Sequence, residues 1–179
     1  MKKYNNFEVT RMLKTMIILY DTREQQNAAL KRRLEGFTCP SLRHKLNFGD
    51  YSVAFVDNNK DMVFCDSLVA VERKMSLDEL CNCFTKGRAR FEREFIRAKE
   101  NNAKVHLLIE NGSYEKIFAE KYRSKLNPNA LIASYLAWAE RFNLQLHFCK
   151  ADTTPVLIEK ILYYWLKNYL ENLEVEDAQ

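Results

Sequence analysis

Four side chains in this sequence are of the types that phosphodiester hydrolysis uses: Asp21, Asp50, Glu72 and Lys74. Carboxylates hold Mg²⁺ through oxygen ligands. The cation then polarises a phosphate, activates an attacking water and offsets charge on the leaving oxygen. A lysine beside it orients the water or stabilises the charge developing on phosphorus. Glu72 and Lys74 are two residues apart, so on a strand they project to one face and Arg73 to the other. If the stretch 50–56 pairs with 67–74, Asp50 lies near Glu72. Asp21 closes an apolar run, at the strand end where open α/β sheets place ligand sites. Each residue alone also has a structural reading. Asp50 follows Gly49 as a turn residue does, Glu72 and Lys74 suit a solvated strand face, and Asp21 suits a helix cap.

Hydrophobic periodicity identifies the elements that must position these groups. Met16-Ile17-Ile18-Leu19-Tyr20 is a continuous apolar run, as in a buried strand. Thr22 and Gln25 have capping-box spacing and predict a helix over about 24–35, ended by Gly36. Residues 50–56 and 61–74 read as extended, with Asp57-Asn58-Asn59 as the turn between them. Ser76 and Glu79 form a second capping box, opening a helix to about Phe84. Phe91, Phe95 and Ala98 recur at helical spacing after Gly87. A strand over 105–109 follows, then a short helix over 113–120. Asn127-Pro128 opens a helix with the stripe Leu131, Tyr135, Trp138, Phe142. Residues 144–148 form a last strand, and Thr154-Pro155 opens a closing helix to about Leu170. This order predicts an α/β protein with a mixed central sheet flanked by helices on both faces.

The chain has 179 residues, 47% apolar and 29% charged, with a net charge of +4. The last nine residues hold four acids and no cation, so the body is more basic than the total suggests. That balance suits a polyanionic partner. No run of 18 apolar residues exists and the first 14 residues lack a signal-peptide stretch. The reading is intracellular: cytoplasmic if the source is microbial or viral, nuclear if eukaryotic. Five cysteines match no zinc spacing and read as thiols in a reducing compartment. His44, His106 and His147 have no mutual metal spacing, and no nucleophile elbow or phosphate-binding glycine loop is present. Arg88, Arg90, Arg93, Arg97 and Lys99 crowd one helix. They suit phosphate contacts, or a solvated face paired with Glu92, Glu94 and Glu100.

Five ordered motifs together resemble the nuclease domain of the XPF family of structure-specific DNA endonucleases. They are Asp21-Thr22-Arg23-Glu24, Gly49-Asp50, Glu72-Arg73-Lys74-Met75-Ser76-Leu77-Asp78, Gly87-Arg88 and Leu107-Leu108-Ile109-Glu110. The resemblance covers roughly residues 16–170. It implies a restriction-endonuclease-like fold and a metal-dependent endonuclease acting on branched, flap or junction DNA, with Mg²⁺ as cofactor and Mn²⁺ as substitute. Asp21, Asp50 and Glu72 would be metal ligands and Lys74 the catalytic lysine. Glu24 and Asp78 would be secondary acids, Arg73 would support the site, and Arg88 and Arg90 would contact DNA. The chain departs from many members at Glu92, where they carry glutamine, and ends before a helix-hairpin-helix module. The expected organisation is a basic arm at 1–15, a nuclease domain at 16–172 and an acidic tail at 173–179. The apolar closing helix suggests a homodimer or a partner subunit, and nothing suggests a membrane. The competing reading is a non-catalytic DNA-binding partner of another nuclease subunit, a class that usually loses the acids kept here.

Overall fold

The computed structural model describes residues 2–175. In chain order they form β1 (Lys2–Lys3), α1 (Asn6–Leu13), β2 (Ile17–Asp21), α2 (Ala28–Glu35), β3 (Ser41–His44), β4 (Tyr51–Val56), β5 (Met62–Phe64), β6 (Val69–Lys74), α3 (Leu77–Phe84), α4 (Arg88–Glu100), β7 (Lys104–Glu110), α5 (Tyr114–Phe118), α6 (Pro128–Phe142), β8 (Leu144–Cys149), α7 (Thr154–Asn172) and β9 (Glu174–Val175). Among the described residues, seven strands make one mixed sheet in the order β3-β2-β4-β6-β7-β8, with β5 paired to β4. β4 runs antiparallel to both β2 and β6, while β2–β3, β6–β7 and β7–β8 are parallel. The C-terminal ends of β2, β6, β7 and β8 and the N-terminal end of β4 therefore share one edge of the sheet.

Alternation along the strands divides the core into two layers. Ala70, Val105, Leu107, Ile109 and Leu144 pack beneath α3, α4 and α6, with Phe91, Phe95 and Trp138 above them. Val53, Val69, Val71 and Leu108 point to the opposite face, under Ile158, Leu162, Leu166 and Leu170 of α7. The apolar width of α7 is thus largely consumed by the sheet. Among the described residues, no helix is long and apolar enough to cross a membrane, and all five cysteines are free.

Four local expectations are corrected. The basic arm is folded over Asn6–Leu13. Asn5 caps α1 by accepting from the N–H groups of Phe7 and Glu8 at 3.0 Å, and Glu8 reaches back to the Asn5 N–H at 2.8 Å. Val9, Met12 and Leu13 join the core beside α7, and their helical spacing was masked by a polar composition. At the other terminus, Lys2–Lys3 pair with Glu174–Val175, and residues 176–179 of the expected tail lie outside the described residues. α2 starts at Ala28 under Asn27, not near Thr22, because Asp21 engages the intervening loop. β3 was not expected, since it is a polar edge strand packed on one side only, and the extended stretch 61–74 is broken by a turn over 65–68.

On the α7 side, His106 of β7 and His147 of β8 stack with ring nitrogens 3.0 Å apart. Burial, then the neighbouring His147 and Lys104, push His106 down to about 4. A histidine depressed in the folded state stabilises the fold fully above its unfolded pKa and less as pH falls towards the folded value. Between about pH 6.5 and 4 this group costs the fold about 3 kcal/mol. Chemical denaturation of the parent and of His106→Gln over that window should show the parent's advantage shrinking by about this amount. A pH-independent difference would contradict the assignment.

Candidate active site

The shared sheet edge opens into a cleft of about 650 Å³ between the loop before α2 and the helices α3 and α4. Asp50, Glu72 and Lys74 line it together. The register Tyr51↔Val71 places Asp50 beside Glu72. Asp50 donates its N–H to the Val71 carbonyl and accepts the Arg73 N–H on Oδ2, at 2.9 and 2.8 Å. Gly49, just before it, has φ +72°, and a Cβ there would stand 2.7 Å from that of Ala70. Glycine alone adopts that conformation without strain and permits the close approach of β4 to β6.

Glu72 and Lys74 are buried, on the same face as Ala70. The Lys74 ammonium donates to Glu72 Oε1, lies 3.9 Å from Glu79 and sits 4.9 Å above the Phe91 ring. Burial by itself would lower Lys74, but the Glu72 and Asp50 charges outweigh it and hold the ammonium above its ordinary value. Burial, and next the Glu72 charge, push Asp50 well above the carboxylate range. Glu72 is also raised by burial, against the pull of Lys74.

Asp21 does not join them. Its carboxylate accepts the Arg23 N–H, Arg23 Nε and the Leu46 N–H at 2.7, 2.6 and 2.7 Å, is 1% exposed, and does not line the cleft. Burial would raise it, but these hydrogen bonds prevail and hold it below the usual range. Of the three expected carboxylates, the structure brings Asp50 and Glu72 together in the cleft and sets Asp21 against Arg23 and Leu46. Among the described residues, no group of three or more His, Cys, Asp or Glu stands in a geometry to hold a metal ion. Asp21 instead ties the loops together, its N–H donating to the Asp50 carbonyl at 2.9 Å.

Of the remaining expected residues, Glu24 lines the cleft and accepts from Arg33 at 2.9 Å and the Tyr51 hydroxyl at 3.3 Å. Arg73 reaches Glu110 at 3.2 Å, and its Nε is buried without a partner. Arg90 lines the cleft, whereas Arg88 lies 5.3 Å over Trp138. Asp78 is outside the cleft, holding residues 123 and 124. Sequence reasoning missed Glu79 and Glu94, which line it too. Helical spacing could have found both. Glu79 shares a face of α3 with Asn82 and Cys83, and Glu94 lies one turn after Arg90 on α4. Arg23 spans the mouth, 2.6 Å from Asp21 and 3.7 Å from Glu94.

A family model described as the ERCC4 domain matches residues 20–158. Two solved structures share the fold. XPF from Aeropyrum pernix has a TM-score of 0.59 and 20% identity over 82% of this chain and 65% of that one. XPF from the same organism in complex with DNA has a TM-score of 0.58 and 20% identity over 88% and 68%. No curated protein matches. The chain therefore spans about two thirds of the length of these XPF chains.

The approach of Gly49 to Ala70 sets a test of the site's scaffold. Gly49→Ala should lower stability by about 1–3 kcal/mol through its positive φ and the clash, read as a shift in the denaturation midpoint. An unchanged midpoint would show that the β4–β6 contact tolerates a methyl group.

Proposed function

Because the chain belongs to the ERCC4 domain family, we propose that it is a metal-dependent DNA endonuclease that hydrolyses phosphodiester bonds at branched, flap or junction DNA. The observation that carries this reading is the convergence of Asp50, Glu72 and Lys74 in one cleft at the ends of β4 and β6. The DNA complex of the XPF relative supports the substrate class, and membership of the family supports the preference for branched forms.

The donor set suits Mg²⁺, which is commonly held by one or two carboxylates, several waters and the substrate phosphate. Asp50 and Glu72 would hold it, with Mn²⁺ as a substitute. Bound there, the cation would polarise the phosphate and lower the pKa of the attacking water. Asp50 keeps Oδ1 for the task because Oδ2 is taken by the Arg73 N–H. Lys74 brings a fixed positive charge to the phosphate, held by Glu72, Glu79 and the Phe91 ring. Glu24 and Arg73 brace the floor from the opposite face of the sheet, and Asp21 braces the loops. Arg90, with Arg88 behind it, meets the DNA backbone at the rim. A second copy or a partner subunit would sit on the outer face of α7, where Leu157, Ile161, Tyr164 and Trp165 flank a groove beside Lys104 and His106.

Cleavage of labelled duplex, flap, fork and four-way DNA, with Mg²⁺, Mn²⁺ or chelator, tests the reading directly. Cutting should need the metal and fall about 100-fold or more in Asp50→Asn and Glu72→Gln, with DNA binding kept. Binding without cutting in the parent would favour a non-catalytic DNA-binding partner. Pairing predicts a sedimentation coefficient that rises with concentration, and a purely monomeric profile would remove it.

A further inference from the structure

We infer that the loop 121–125 is a docking surface for the DNA phosphate backbone beside the cleft, and that Asp78 is the positioning residue that fixes it. This rests on the nuclease reading for its ligand and adds a binding surface to it.

Lys121-Tyr122-Arg123-Ser124-Lys125 carries three cations and no acid, and all three cations are exposed. Among the described residues, Lys121 and Lys125 form no ion pair, and Arg123 meets only Asp78, at 3.4 Å. Three like charges on a short segment, two of them unpaired, repel one another, which favours a mobile loop. This loop is held instead. Asp78 Oδ1 accepts the N–H groups of both Arg123 and Ser124, at 2.7 and 3.0 Å. The Tyr122 hydroxyl donates to the Leu126 carbonyl at 2.8 Å, and the Leu126 N–H donates to Ser124 Oγ at 3.2 Å. Tyr122 and Leu126 pack on the core under α6. The cations thus project from a rigid backbone, so binding does not have to order the segment that carries them.

The position of the loop gives the charges a purpose. Asp78 lies in the first turn of α3, next to Glu79, which lines the cleft. The cleft is of mixed charge, lined by Glu24, Asp50, Glu72, Glu79, Glu94 and Glu110 and by Arg23, Arg33, Arg73, Lys74 and Arg90. Cations at its rim attract a phosphate backbone and hold it at the entrance. Arg90 does so from α4, and the loop does so from the side of α3.

The test measures DNA affinity against salt for the full chain, with a labelled forked duplex and no metal. The double variant Lys121→Gln/Lys125→Gln should bind on the order of ten-fold more weakly, with a log–log salt slope shallower by about 2. Its thermal midpoint should match the parent. Asp78 separates clamp from charge. Asp78→Asn keeps the accepting Oδ1 and should bind DNA at least as tightly as the parent. Asp78→Ala removes an acid yet should bind more weakly, because it frees the loop. An unchanged slope in the double variant, or tighter binding by Asp78→Ala, overturns the inference. If Asp78→Ala does not fold, the double variant decides alone. A parent that binds but does not cut removes the nuclease reading and leaves the slope to judge the loop, whereas a parent that does not bind DNA removes both.

Discussion

Asp50 is tied to β6 twice, by its own N–H to the Val71 carbonyl and by its carboxylate to the Arg73 N–H. That double attachment decides much else. It sets the register in which Tyr51 faces Val71 and keeps Asp50 on the face that carries Glu72 and Lys74. Slipping β4 by one residue would turn Asp50 towards α7 and Tyr51 towards α3, because the side-chain period of a strand is two. Gly49 makes the attachment sterically possible, and Asp21 anchors β2 to the same point through its bond to the Asp50 carbonyl.

The second constraint is electrostatic. Two buried carboxylates at the end of a sheet are costly unless a cation accompanies them. Lys74 is that cation, held against Glu72 and over Phe91. Its burial sets that charge in a low-dielectric site, where electrostatic interactions are stronger than in water. A parallel network, Glu24 with Arg33 and Tyr51, and Arg73 with Glu110, satisfies further polar groups that line the cleft. The site is polar through the thickness of the sheet edge, and the two apolar layers begin only beyond it.

Much of this was legible in the residues themselves. Apolar runs identified the central strands, which are buried on both faces, and capping signals with 3.6-residue spacing identified the helices α3, α4, α6 and α7, which bury one face against the sheet. The spacing of Glu72 and Lys74 pointed to a shared face, since a strand must project alternate residues together, and pairing with β6 brings Asp50 to it. What escaped were elements whose stability lies elsewhere. α1 is short and polar but capped by Asn5, and β3 is an exposed edge strand held by pairing rather than by apolar pattern.

The sequence by itself determined the sheet-and-helix architecture through local apolar patterning, and the family resemblance and the acid–lysine core of the cleft through ordered motifs. Only the tertiary structure decided which acids face the cleft. Asp21 and Asp78 match motif positions as well as Asp50 does, yet the first is filled by N–H donors from Arg23 and Leu46 and the second by those of Arg123 and Ser124. Glu79 and Glu94 belong to none of the five family motifs, yet they line the cleft. A carboxylate's role depends on which donors the fold brings within about 3 Å of it, and those donors are set by loop paths and helix docking that one-dimensional spacing does not encode.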